Sequence, residues 1–398
     1  MTLSHTETTG LRTPLAAADI LTAVRALAPE IQSRGDEIAA LRRLPVDLVT
    51  RLKAAGVFRM AMPKAWGGPE MTPREQCEVY EVLGAADASV AWCAKIGSDS
   101  GYFAAQLDEQ AARTLYPDLD FVTAGQVPPN GLGERVDGGY RLSGHWTFGS
   151  GCTHADVIGT GFLVTENGKP VMRGGAPQAR LAFAPASHFE IIDTWYSTGL
   201  AGSGSNDYRV KDLFVPDAHT IAQDDPPRRS EPLYCYFGMF LASWHGIALG
   251  LARRAIDAAL AVAEKKMHIF PPPPMPLRQR PHARVALAKA EMTWRAARAF
   301  TYETAERIWE EAQSQGRVSP DTRRAMALSL SYAFRAARDV AQSMYDLAGP
   351  TAVFSAKTPL DRLLRDAITM SEHLLLSDSF LEMVGTGIVG DPPQIGWL

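Results

Sequence analysis

Gly138-Gly139-Tyr140-Arg141-Leu142-Ser143-Gly144-His145-Trp146-Thr147-Phe148-Gly149-Ser150-Gly151 opens on a glycine pair, alternates apolar and polar residues, and closes on a second glycine cluster. The alternation over 140–148 predicts a half-buried strand, with His145 turned to solvent on the face opposite Trp146. Working outward, 157–164, 180–184, 189–194 and 208–215 have the same short, β-rich character. Gly-Gly, Asn-Gly and proline clusters separate them. Residues 121–222 therefore read as a small antiparallel β domain.

On either side the period changes from two to three and four. In the first zone, 1–120, Leu21, Val24, Leu27 and Ile31 recur at helical spacing, and Pro45 marks a new helix start. Residues 74–86 read as an amphipathic helix and 88–107 as an apolar one. The polar first residues lack a signal-peptide core and read as a frayed tail. The third zone, 223–398, holds four long segments rich in Ala, Leu and Arg: 240–266, 283–313, 321–347 and 362–384. The proline-rich run 270–276 forms a loop between the first two. The expected architecture is α+β: an N-terminal helical domain, a middle antiparallel β domain and a C-terminal four-helix bundle.

Of the 398 residues, 46% are hydrophobic and 21% charged, an ordinary balance for a globular chain. A net charge of −4 argues against a sequence-independent nucleic-acid binder. Cys77, Cys93, Cys152 and Cys235 form no CxxC pair and suggest no metal site, and scattered thiols suit a reducing cytoplasm. No apolar run reaches the roughly 20 residues that a membrane span needs. There is no GxGxxG, Walker A, HExxH or GxSxG motif. The glycines of 199–205 lead into an alternating strand rather than a helix, so they are no phosphate cradle. The chemistry must come from a bound cofactor or from a constellation that short motifs do not advertise.

The order of motifs supplies one. The opening stretch, preceded by Thr123-Ala124-Gly125-Gln126-Val127-Pro128-Pro129 and followed by His154-Ala155-Asp156, resembles the flavin-contact strands of the acyl-CoA dehydrogenase superfamily. More closely it resembles the oxygenase branch, the two-component flavin-dependent monooxygenases of the hydroxyphenylacetate and steroid-phenol hydroxylase type. Trp195 with the Gly199–Ser205 run and Val215-Pro216 matches the next strand pair. Ala55-Gly56-Val57-Phe58, Gly67-Gly68 and Leu360-Asp361-Arg362 through Arg365-Asp366-Ala367 match near the two ends. The likeness spans nearly the whole chain in order.

The resemblance implies roles by position. Phe148 falls where an aromatic lies against the isoalloxazine ring, and Ser150 where a hydroxyl reaches flavin N5. Gly125, Trp146, Gly149 and Gly151 complete the implied cofactor contacts. The residue types suit this: a flat ring supports a flat ring, a hydroxyl both donates and accepts, and glycine admits close backbone approach. Trp92, Tyr236, Trp244 and His245 are candidates for an apolar substrate pocket, and His154 sits just beyond the flavin strand.

A dehydrogenase of this superfamily needs a carboxylate base. The matching position beyond Arg365 is Leu374, beside His373, and 234–253 contain no Asp or Glu. Glu372 and Glu382 remain acidic candidates for a displaced base. His373 fits the oxygenase branch, where a histidine of the C-terminal helix lies near the flavin; Asp366, Met370 and His373 would share one helical stripe. The implied enzyme takes reduced FMN (or FAD) from a separate reductase and, with O2, forms a C4a-hydroperoxide that hydroxylates an aromatic, phenolic or heteroatom substrate. The motif Arg that meets FAD pyrophosphate is missing at 267–270, which favours FMN, with Arg278, Arg280 and Arg284 as phosphate candidates. A homotetramer is the usual assembly. The alternatives are an acyl-CoA dehydrogenase with a displaced base and a non-catalytic family member.

Overall fold

The computed structural model describes residues 15–391; the polar N-terminal tail lies outside them. Seven helices come first: α1 (Ala17–Ser33), α2 (Gly35–Leu41), α3 (Val46–Ala54), α4 (Pro73–Ala86), α5 (Ala88–Ser98), α6 (Ser100–Gln106) and α7 (Glu109–Leu115). Val24, Leu27 and Ile31 are buried on α1 as expected, but the stripe is completed by Ile20, and Leu21 is only partly buried. Pro45 is the N-cap of α3. The 88–107 segment is divided: Asp87 caps α5 by accepting from Ser89 N and Val90 N, and α6 starts afresh after Asp99.

The middle of the chain is a sheet of β1 (Thr123–Val136), β2 (Gly139–Gly149), β3 (Val157–Glu166), β4 (Ala179–Pro185), β5 (Glu190–Ile192), β6 (Asn206–Pro216) and β7 (Thr220–Ile221), in the order β7-β4-β3-β1-β2-β6-β5. A two-residue strand, Lys169–Pro170, pairs with β3 as the eighth member. The sheet is not wholly antiparallel as expected, because β1 and β3 run parallel. β1 also passes through Pro128 and Pro129. A register shift between Gln126 and Gly131 carries them, so no ladder bond is demanded of a proline. Gly125 lies in this strand at φ 136°, and a Cβ there would sit inside the carbonyl oxygen of Gly159. Gly125→Ala is expected to cost about 4 kcal/mol or more, because neither backbone can retreat without breaking the ladder. The denaturant midpoint reads this, and a loss below about 1 kcal/mol would show that the ladder yields.

The last zone contains α8 (His245–Lys265), α9 (Pro281–Gln315), α10 (Pro320–Ala348), α11 (Leu360–Ser371) and α12 (Asp378–Ile388). The expected fourth bundle helix is thus two helices, broken at Glu372 and His373. The first bundle helix also starts later than expected, since 237–243 are a 3-10 run. α8 packs closely on α4. The α carbon of Gly250 lies over Glu81 and Ala85, where any side chain would collide with backbone. Arg280, expected as a phosphate ligand, is buried and donates to the carbonyls of His268, Pro271 and Pro273, pinning the proline-rich loop.

Polar ties hold the sheet to the first helices. Arg59 and Asp120 form a buried ion pair. Asp156 accepts from Lys53 Nζ at 2.8 Å and from Val122 N at 2.9 Å. These ties fix the starts of β1 and β3 against the first helices.

Candidate functional site

β2 ends in a bulge. Trp146 pairs with Tyr208 and Gly149 with Asn206, so Thr147 and Phe148 together face one residue of β6. Strict alternation would put Trp146 and Phe148 on one face. The bulge parts them. Trp146 is fully buried in the sheet core, stacked on Tyr208 at 5.5 Å, with Nε1 donating to Gly161 O. Its indole is therefore not available to a cofactor, and that expectation is corrected. Phe148, at φ 56°, is 63% exposed, and its ring meets Trp195 edge-on at 6.1 Å. Holding a phenylalanine in the left-handed region costs about 1–2 kcal/mol. The fold meets that cost to present an aromatic face outward. His145 is exposed and pairs with Asp207 at 2.9 Å.

Two residues on, Ser150 is buried. Its Oγ accepts from Trp92 Nε1 at 3.0 Å and shares a hydrogen bond with Ser205 Oγ at 2.7 Å; Ser205 in turn bonds Ser203 Oγ at 2.7 Å. A hydroxyl can make three bonds, so one position on Ser150 remains. Gly151 N donates to Ser203 O at 2.9 Å, which ties the turn to the 199–205 loop. That loop is fixed from below by Asp366, which accepts from Leu200 N at 2.7 Å. Burial, with Asp87 nearby, pushes the Asp366 carboxyl up to about 7.

Trp92 also belongs to a box of rings. Trp244 lies 5.2 Å away, His373 5.7 Å and Phe334 6.4 Å, and Trp244 meets His373 at 4.7 Å. His373 reaches the box from outside any helix. It is the N-cap of the 3-10 turn Leu374–Leu376, and its Nδ1 accepts from Leu375 N at 3.2 Å. Asp366 and Met370 are buried on α11 as a stripe that His373 does not share. With Nδ1 engaged as acceptor, the neutral ring carries its proton on Nε2. Burial, and then the Lys95 cation, push its pKa down to about 4. The ring is neutral at pH 7, with a free Nε2–H.

His245 is fully buried. Ser329 Oγ donates to Met326 O and therefore accepts from His245 Nε2 at 2.9 Å, which leaves Nδ1 a bare acceptor without a partner. Burial pushes its pKa to about 3. Tyr236 is buried with its ring under the Arg323 guanidinium, 4.8 Å from the centroid; it makes no ring contact with the box. His154 lies behind Gly151, and neither ring nitrogen meets a partner. Leu374, Glu372 and Glu382 are exposed, and Glu372 faces Arg338 at 3.7 Å. None of the three brings a base to the box. A cleft of about 600 Å³ runs along α1, α2 and α11, and it includes neither Trp92, Trp244 nor His373.

Sequence reasoning missed Phe334, Lys95, Asp99 and Ser205. Lys95 is buried, bound to Asp99 at 2.6 and 2.7 Å, with its cation 5.4 Å from the Trp244 ring. A lysine and an aspartate four apart in an otherwise apolar segment was the available signal.

Comparison with known proteins bears on this geometry. Residues 17–116 match the N-terminal domain of acyl-CoA dehydrogenase and residues 243–378 the C-terminal domain. An indole-3-acetate monooxygenase of Pseudomonas putida is 34% identical over 92% of both chains. The oxygenase component of an FADH2-dependent resorcinol hydroxylase from a Rhizobium species is 28% identical over 93% of this chain and 94% of its own. The crystal structure of the HsaA monooxygenase from M. tuberculosis superposes with a TM-score of 0.87 at 26% identity, covering 96% of this chain and all of the other. The chain belongs to the acyl-CoA dehydrogenase family, and within it to the flavin-dependent monooxygenases.

Proposed function

We propose that this chain is the oxygenase component of a two-component system, receives reduced flavin from a separate reductase, and hydroxylates an aromatic substrate held in the Trp92–Trp244–His373 box. The observation that carries the reading is the hydroxyl of Ser150, clamped by Trp92 and Ser205 beside an outward-facing Phe148. That arrangement fits a flavin: an exposed ring on a strained backbone offers a flat support, and the spare position on Ser150 suits the polar edge of a ring lying on it. When bound, reduced flavin supplies the two electrons that split O2, one oxygen entering the substrate and the other leaving as water.

The rest is the work of the chain. Trp92, Trp244 and Phe334 exclude water from the box. Trp92 couples the box to the flavin shelf through its bond to Ser150. His373, neutral with its acceptor nitrogen occupied, acts as a donor to developing negative charge on oxygen rather than as a base. FMN is the preferred flavin, since Arg280 is committed to the proline-rich loop and the pyrophosphate-binding Arg is absent. Exposed Val285 and Met292 on α9 support assembly through that helix, and a homotetramer is the expected state by light scattering. Among the described residues no helix is long and apolar enough to cross a membrane.

The test is turnover with chemically reduced FMN or FADH2, 18O2 and a panel containing indole-3-acetate and resorcinol. One labelled oxygen atom per product molecule is the expected result. Unlabelled products from every substrate, with anaerobic bleaching of bound flavin by an acyl-CoA, would sink the reading in favour of dehydrogenation.

A further inference from the structure

Trp244 is 3% exposed, yet its Nε1–H meets no acceptor. A buried donor without a partner costs free energy, and native folds rarely leave one without reason. The other tryptophan of the box does not share this state, because Trp92 Nε1 is spent on Ser150. Two other donors stand beside the Trp244 ring. His373 keeps its Nε2–H free. Lys95 Nζ lies 5.4 Å from the Trp244 ring, with two of its three protons on Asp99 and both oxygens of Asp99 on that lysine.

We propose that Trp244 Nε1–H is a specificity determinant that accepts only substrates bringing an anionic oxygen, a carboxylate or a phenolate on an aromatic ring, into the box. This rests on the box being the substrate site. The ligand oxygen supplies the acceptor that the fold withholds, and the flanking rings take the aromatic body. A neutral ring of the same shape leaves the indole N–H unpaired and so forfeits affinity.

The experiment measures equilibrium binding of indole-3-acetate, 4-nitrophenolate and neutral 3-methylindole to the full chain and to Trp244→Phe. That substitution keeps an aromatic ring and removes the donor. The native chain is expected to prefer at least one of the two anions over 3-methylindole by about tenfold or more, the scale of one buried charge-assisted hydrogen bond. Which anion is preferred identifies carboxylate or phenolate as the source. In Trp244→Phe the ratio of anion affinity to 3-methylindole affinity should fall to near one, whatever common loss the smaller ring brings to all three ligands. Equal affinity of the native chain for all three overturns the proposal without any variant. Retained preference in Trp244→Phe, or equal loss for all three ligands, overturns it as well. Separate 18O2 turnover of the same compounds distinguishes the two failures. If the native chain oxygenates an aromatic but shows no anion preference, only this inference falls; if it oxygenates none, the functional reading falls with it.

Discussion

His373→Phe is expected to lower the rate of aromatic oxygenation by roughly a hundredfold or more while leaving flavin affinity nearly unchanged, the size of effect seen when one preorganised donor is removed. The argument runs through the tautomer. Leu375 N donates to Nδ1, so the proton of the neutral ring is on Nε2. With its pKa pushed down to about 4, first by burial and then by Lys95, the ring stays neutral through the whole working range. A donor of this kind imposes no titration between pH 6 and 8, so the wild-type profile of kcat/KM should carry no histidine limb there. His373→Gln keeps an N–H and should recover part of the lost rate. A rate that climbs with pH toward 6.5, and loses that limb in His373→Phe, would instead make His373 a base. The same depressed pKa has a sign for stability: the neutral ring contributes fully above about pH 6.5, and the contribution is lost as pH falls toward 4. The Phe variant should therefore lose less stability on acidification than the native chain.

That role was only half legible in the sequence. The expectation that His373 lies near the flavin came from resemblance, and the helical stripe through Asp366 and Met370 that accompanied it was wrong, because His373 lies beyond the end of α11. Glu372-His373-Leu374 contains no glycine or proline to announce a break. The chain stops because the imidazole itself caps the next turn, an interaction with no signature in local composition. The bulge in β2 was hidden for a related reason. Whether Phe148 shares a face with Trp146 depends on how many residues β6 sets against them, and a strand cannot display its partner's register. Strands such as 206–216, and the stripe of α1, were readable because their burial pattern is carried by their own residues. The Ser150–Ser205 bond joins residues 55 positions apart and arises from the fold alone.

Lys95→Met is expected to destabilise the chain by about 3–5 kcal/mol at pH 8, because it leaves the Asp99 carboxylate buried without its cation. Both side chains are almost wholly withdrawn from water, and the pair lies under Phe240 and Trp244 with the ammonium 5.4 Å from each ring. Burial already pushes the Asp99 carboxyl up to about 6, against the pull of Lys95. Removing the lysine moves it further up, so the variant can relieve itself by taking a proton. The sign follows from linkage. A carboxyl whose pKa is higher in the folded than in the unfolded chain binds a proton on folding, so its penalty shrinks as pH falls through the folded pKa. Lys95→Met should thus approach the native chain in stability at pH 5 and fall well short of it at pH 8, as read by denaturant midpoints. The double change Lys95→Met with Asp99→Leu removes both charges and should restore most of the loss at pH 8, because apolar groups of similar volume replace a buried pair at little cost. A single variant that costs less than about 1 kcal/mol, or a double variant whose loss is the sum of the two singles, would mean that the pair is solvated rather than buried. Both residues belong to the end of the helix that carries Trp92, so the pair braces that helix end, and it is the ammonium lying 5.4 Å from the rings of Phe240 and Trp244 that meets the neighbouring wall.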